Sequence, residues 1–179
     1  MQQLLIGQLP VVGRGALIPY FGDKAIVLGY DHATQQQALG LAETIAVQLF
    51  SQHPAGQAQI VLYEAAPSRE FAIIKYLFAA TDNKAGKQLV NLRECTTLLA
   101  SLTEQLHSRL ALLLNAQMAD MVSYNAAAPR PETITYLLIV GLGQLAQDAQ
   151  QLQHLQHLCQ QGTMAGIVPI LLHDRTTET

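Results

Sequence analysis

The sequence has no tryptophan, two cysteines and few charges: 13% of its 179 residues are Asp, Glu, Lys or Arg, and 6% are aromatic. Each shortage excludes something. Cys95 and Cys159 lie far apart and outside any C-x-x-C spacing, so no disulfide framework is expected, and a cytoplasmic chain with two incidental thiols is the simplest reading. The longest apolar runs, such as "YLLIVGL" and "LALLL", fall well short of the ~20 residues that a membrane-spanning helix needs. The opening "MQQLLIGQLP" lacks a basic n-region and a cleavage site, so no secretory signal is expected. Positive charge is scarce too. Ten Lys and Arg stand against thirteen Asp and Glu, for a net charge of −3, whereas a protein that holds duplex DNA alone presents a basic stripe to the phosphates. Independent nucleic-acid binding is therefore not expected.

What is present is the material for a core. Half of the residues are hydrophobic, which argues against disorder, and the length suits one compact domain. The first 23 residues are broken by Pro10, Gly13, Gly15, Pro19 and Gly22 and read as short strands or a lead-in arm. After them the pattern alternates. "AIVLG" (25–29) reads as a strand, and Ala38, Leu41, Ala42, Ile45 and Leu49 mark a helix over 33–51. "AQIVLYEA" (58–65) is a strand, 68–80 a helix, "TDNKAGK" a polar loop and "QLVNL" a short strand. A long helix follows over 93–117, a loop over 126–133, a strand over 134–142, a helix over 148–162 and a last strand over 166–172, with a polar tail behind it. Strands that are nearly continuous apolar runs, separated by helices, predict a mostly parallel sheet covered on both faces. In such sheets the ligand crevice lies beyond the carboxyl ends of the strands.

The turn in "AIVLGYDHATQQQALG" stands where a phosphate-binding loop would be. A G-x-x-x-x-G-K-[ST] loop aims backbone N–H groups at the phosphates, while its Lys neutralises charge and its hydroxyl binds magnesium. Counted from Gly29, the second glycine falls on Thr34, the Lys on Gln35 and the hydroxyl residue on Gln36. The charge and the metal ligand are missing, and Asp31 opposes an anion. In P-loop ATPases an apolar strand also ends in a carboxylate that serves magnesium and the attacking water. Here "LLIV" is followed by Gly141 and Leu142, and Asp148 falls in the helix beyond.

The order of these segments resembles the FtsK/SpoIIIE branch of RecA-like motor ATPases, within the HerA/FtsK superfamily. "GTMAGIVPILLHDR" (162–175) is similar to that branch's strand after the Walker B helix, with its sensor glutamine falling on Asp174 and its arginine on Arg175. "LTEQLHSRLALLLNAQMADMVSYNA" is similar to its long helix, matching at Glu104, Arg109, Tyr124 and Asn125. Glu64, Ala65 and Ala66 replace an Asp-Pro-Lys turn. "GYDHATQQQALG" and "VGLGQL" resemble the altered Walker A and Walker B segments of degenerate modules that some members carry beside an active one.

The resemblance implies a three-layer RecA-like, P-loop NTPase-like α/β fold, with residues 1–24 as a lead-in and 25–179 as one degenerate FtsK-type domain. It implies no catalytic residue, no metal and no cofactor. Gly29, Thr34, Gln35 and Gln36 would be a vestigial nucleotide site, and Gly141, Leu142 and Asp174 vestigial Walker B and sensor positions. Arg109 or Arg175 would face a neighbouring subunit. The function implied is that of a non-hydrolysing structural or regulatory module in a DNA- or protein-translocating assembly, docked on an active ATPase domain or other subunits. Two other readings stand beside it. One is a small-molecule or nucleotide-sensing domain that uses the 29–34 turn without magnesium. The other is an active ATPase or DNA translocase domain whose lysine comes from Lys24 or Lys84. His154 and His157, three apart on one helix, have the spacing of metal ligands, but no third ligand is near in sequence, and a polar helix face explains them.

Overall fold

The structure, a computed structural model, describes residues 2–8, 15–20 and 24–177, with side chains described over 24–176. Strands β1 (Gln2–Gln8) and β2 (Gly15–Tyr20) form an antiparallel hairpin whose register shifts between Leu5 and Gly7. Residues 9–14 and 21–23 of the expected lead-in, and 178–179 of the tail, lie outside the described residues.

The main sheet has five parallel strands in the order β3-β7-β6-β4-β5. They are β3 (Ile26–Tyr30), β4 (Ala58–Glu64), β5 (Gly86–Leu89), β6 (Ile134–Val140) and β7 (Ile167–Asp174). Side chains alternate across a strand, and the core splits accordingly. Ile60, Leu62, Leu138 and Ile170 pack on one face with α1 (Gln35–Phe50) and α2 (Ala72–Ala80). Val61, Tyr63, Leu137, Ile139 and Leu171 pack on the other with α3 (Leu92–Ala116), α5 (Leu142–Leu145) and α6 (Ala149–Gln161). The short α4 (Met121–Ala127) adds Met121 to the first face. The inner strands β7, β6 and β4 are mostly apolar because each of their faces is covered.

Several boundaries differ from the periodicity, each for a local reason. The strand expected at 88–92 starts two residues earlier. Gly86, at φ 150°, passes so close to β4 that a Cβ there would lie 1.8 Å from the Ile60 oxygen. Asn91 then starts α3, its side chain accepting from the Arg93 amide at 2.8 Å. Helix α2 begins at Ala72 rather than 68, since Phe71 is left-handed (φ 57°) with its side chain buried. Helix α3 ends on Gln117, also left-handed, and Asp120 caps a separate α4 by accepting from Ser123 N at 2.7 Å. Asp148 lies before α6, not in it, and accepts from the Gln150 amide at 2.8 Å. Strand β7 runs to Asp174, and the expected tail forms a 3-10 turn over Arg175–Thr177.

Candidate functional site

The carboxyl end of β3 leads into α1 through four residues. Gln35 is the first residue of the helix, the register in which a P-loop lysine would sit, and Gln35 and Gln36 are exposed. What fills the turn is its own carboxylate. Asp31 Oδ1 accepts from the Thr34 amide at 2.9 Å and from the Thr34 hydroxyl at 2.7 Å, and Thr34 Oγ1 accepts from the Asp31 amide at 3.0 Å. This reciprocal pair closes the turn of residues 31–34 ahead of α1, whose N-cap, Thr34, makes no side-chain bond into the helix. The Thr34 hydroxyl and then its amide hold the Asp31 carboxyl below the usual carboxylate range, with Arg175 adding to the effect. A charged carboxylate thus occupies the positive end of α1 that a phosphate would seek.

The neighbouring strand closes over this turn. Gly29 pairs with His173 and Tyr30 with Asp174. A Cβ on Gly29 would lie 3.2 Å from Cδ and 3.4 Å from Nε of Arg175, so the arginine stem crosses the glycine backbone. Asp174 is also held low, first by the Thr176 hydroxyl (2.6 Å), then by the Thr176 amide (2.9 Å), with His32 and His173 contributing. Tyr30 is pushed up by burial and then by Asp174. The structure therefore brings Gly29, Thr34, Asp174 and Arg175 to one place, with Gln35 and Gln36 on the adjoining helix turn.

At the end of β6 a carboxylate has no seat. Gly141 is left-handed (φ 92°), and a Cβ on it would meet Ala65 Cβ at 3.0 Å. Leu142 packs its side chain against the core instead. The buried carboxylate of this rim is Glu64, one strand over and 1% exposed. Its Oε2 meets Lys75 Nζ and Gln88 Nε2, each at 2.7 Å, and its Oε1 accepts from Ser68 Oγ at 2.8 Å. Lys75 also donates to the carbonyls of Ser68 and Glu70, both at 2.8 Å. Glu43 reaches from α1 to α2 and accepts from the Ile73 and Ile74 amides at 2.7 and 3.0 Å. The residues present do not fit a magnesium-bound triphosphate. The β3 turn holds an anion already, the left-handed backbone of Gly141 and its tight approach to Ala65 disfavour a metal-binding side chain there, and both Glu64 oxygens are engaged.

Other candidates lie elsewhere. Arg109 does not face outward. It is 4% exposed, and its guanidinium donates to the carbonyls of Ala165 (3.0 Å) and Thr133 (2.9 Å) and to Glu132 (3.2 Å). It ties α3 to the amino ends of β6 and β7, opposite the crevice; burial lowers its pKa, against the pull of Glu132. Lys24 and Lys84 precede β3 and β5 and so also lie at amino ends, away from the Gly29 turn. His154 Nδ1 pairs with Thr103 Oγ1 at 3.1 Å, and His157 packs edge-on to His107 with centroids 6.3 Å apart. Among the described residues no group of three His, Cys, Asp or Glu is placed to hold a metal ion, and no helix is long and apolar enough to cross a membrane. Sequence reasoning missed Glu43, Lys75 and Gln88 as members of the rim. No local pattern marks them, although Asp31-x-x-Thr34 is legible as a turn.

No protein-family profile matches the chain, and no curated protein does. Solved structures match in fold. The pCW3 conjugation coupling protein TcpA, in a monomer form with ATPγS, superposes with a TM-score of 0.74 at 15% identity, over 96% of this chain and 48% of that one. EssC (ATPases 2 and 3) from Geobacillus thermodenitrificans gives 0.68 at 13% identity, over 99% of this chain and 34% of that one. Thermomonospora curvata EccC (ATPases 2 and 3), in complex with a signal sequence peptide, gives 0.68 at 14% identity, over 96% and 29%. The chain thus spans less than half of each of these structures. Its structural neighbours are FtsK/SpoIIIE-type ATPase domains, and it shares their RecA-like α/β fold.

Proposed function

We propose, from that shared fold, that the chain is a non-hydrolysing structural or regulatory module of a DNA- or protein-translocating ATPase assembly. The observation that carries this reading is the Asp31–Thr34 pair: the carboxylate of Asp31 holds the Thr34 amide just ahead of α1, with Gln35 where a lysine would neutralise phosphate. Such a module acts by docking, its rim packed on an active ATPase domain or another subunit. In this reading Arg175, whose stem crosses Gly29 beside the β3 turn, is the cation that the rim offers a neighbour. The matched EssC and EccC structures each hold two ATPase domains by name, which agrees with a companion role, and a cytoplasmic placement follows from the same reading.

Calorimetric titration with ATP, with and without magnesium, tests it. The expected result is no binding in the micromolar range and no hydrolysis above background. Micromolar binding that needs no magnesium would move the assignment to a nucleotide sensor, and turnover would restore an active ATPase. A mobility-shift assay at low salt is expected to show no retention of duplex DNA, in keeping with the net charge of −3.

A further inference from the structure

We infer that the outer edge of β5 is a docking site for an extended peptide strand that carries carboxylates, a surface distinct from the rim above. Strand β5 ends the sheet, and among the described residues only β4 pairs with it. The bond from Ile60 N–H to the Ala85 carbonyl fixes the phase of that pairing. In a parallel ladder of this phase the backbone of Lys87 points to β4, while the Gly86 carbonyl and the Gln88 N–H and C=O point away from it. Gly86 locks the register, because its contact with Ile60 leaves no space for a slip. The edge is therefore a fixed row of acceptor, donor and acceptor.

Grooves flank this row on both faces of the sheet. One, of about 560 Å³, is lined by Lys87, Leu89, Arg93, Glu94 and Leu98. The other, of about 500 Å³, is lined by Lys75, Phe78, Asn83, Lys87 and Gln88. An added strand alternates its side chains, so successive residues enter successive grooves. Backbone pairing with alternate pockets is how strand addition combines affinity with selectivity.

Charge chooses the occupant. Lys87 is exposed and lines both grooves. Lys75 is already taken by Glu64, so Lys87 and Arg93 carry the groove charge, with Glu94 beside Arg93. A carboxylate that enters the groove beside Leu89 meets Lys87 and Arg93. A second copy pairing through the same edge in the register centred on Lys87 sets Lys87 against Lys87, and like charges across a strand pair are unfavourable.

The test uses the whole chain and an end-blocked, fluorescent peptide of about eight residues alternating Glu with Thr or Val. Anisotropy at low salt is expected to saturate, and amide shifts in a proton–nitrogen spectrum should concentrate on 86–90 and Arg93. Lys87→Glu, checked for folding by circular dichroism, is expected to weaken binding by about tenfold. Two further peptides, N-methylated at alternate residues in opposite phases, should differ sharply, since only one phase blocks strand pairing. Binding weaker than roughly 1 mM, shifts centred elsewhere, equal binding of the two methylated peptides, or tighter binding of a Lys-containing peptide or a single-stranded oligonucleotide would each overturn the inference.

Discussion

Strand β3, at the edge of the sheet, and β4, inside it, each lead to a carboxylate at their carboxyl end, and they spend it differently. Asp31 closes its own turn within four residues, in contact with solvent, mainly through Thr34. Glu64 is buried and draws its partners from three places: Ser68 in the loop, Lys75 on α2 and Gln88 on β5. The first arrangement is a local turn closed within its own four residues. The second binds a loop, a helix and an edge strand together, and Lys75 extends it to two loop carbonyls. The same rim thus holds one feature that blocks a ligand cheaply and one that the fold depends on.

The comparison breaks most visibly at Lys75. Lys75→Met leaves Glu64 charged and buried without its cation, and stability measured by urea denaturation should fall by about 3–5 kcal/mol. Adding Glu64→Leu should recover a good part of that loss, because removing both charges is less costly than removing one. Next is Glu43→Ala, which uncovers the Ile73 and Ile74 amides; it should cost about 1 kcal/mol, with hydrogen exchange rising in the first turn of α2. Asp31→Ala should lower the melting temperature less than either, and in calorimetry it should still give no magnesium-dependent ATP binding, since neither Lys nor hydroxyl is restored at Gln35 and Gln36.

Acid sharpens the contrast. The carboxyls of Asp31 and Asp174 titrate below 3.8 in the folded chain. Their contribution is therefore full above that value and lost as pH falls through the lower folded values. Asp31→Asn should flatten that part of an acid-unfolding curve. The smallest effect is expected at the opposite end of the sheet, where burial lowers the pKa of His53 from 6.5 and Tyr136 Oη lies 2.7 Å from its Nε2. The unfolded chain takes up that proton first, so stability should decline as pH drops below 6.5, and His53→Gln should remove that slope without touching the rim.

The same contrast explains what was legible in the sequence. Apolar runs and helical spacing revealed the five parallel strands and the main helices, because burial on both faces leaves a compositional trace. The places of Gln35, Gln36 and Gly141 relative to a P-loop and a Walker B strand come from counting along the chain. The Asp31–Thr34 turn was equally local, and only its chemistry was overlooked. The boundaries of α2 and β5 were not local: one depends on Glu43 arriving from α1, the other on Gly86 meeting Ile60. Arg109 had the look of a surface arginine by sequence, because its acceptors at Thr133, Glu132 and Ala165 become neighbours only once β6 and β7 are laid side by side.

Strand order has a further meaning in time. The sheet's first strand in sequence, β3, pairs with β7, its last: Ile26 waits for Ile170. At about 5–20 residues per second, roughly 7–30 s of synthesis separate the two. Throughout that interval β3 and its turn lack their partner strand, while β4 and β5 can already pair as soon as β5 follows α2 out. Assembly should therefore begin at the β4–β5 side and finish at the Gly29 turn. Contacts of such long separation slow folding, so the segment where a phosphate loop would lie is the one that the nascent chain leaves open longest.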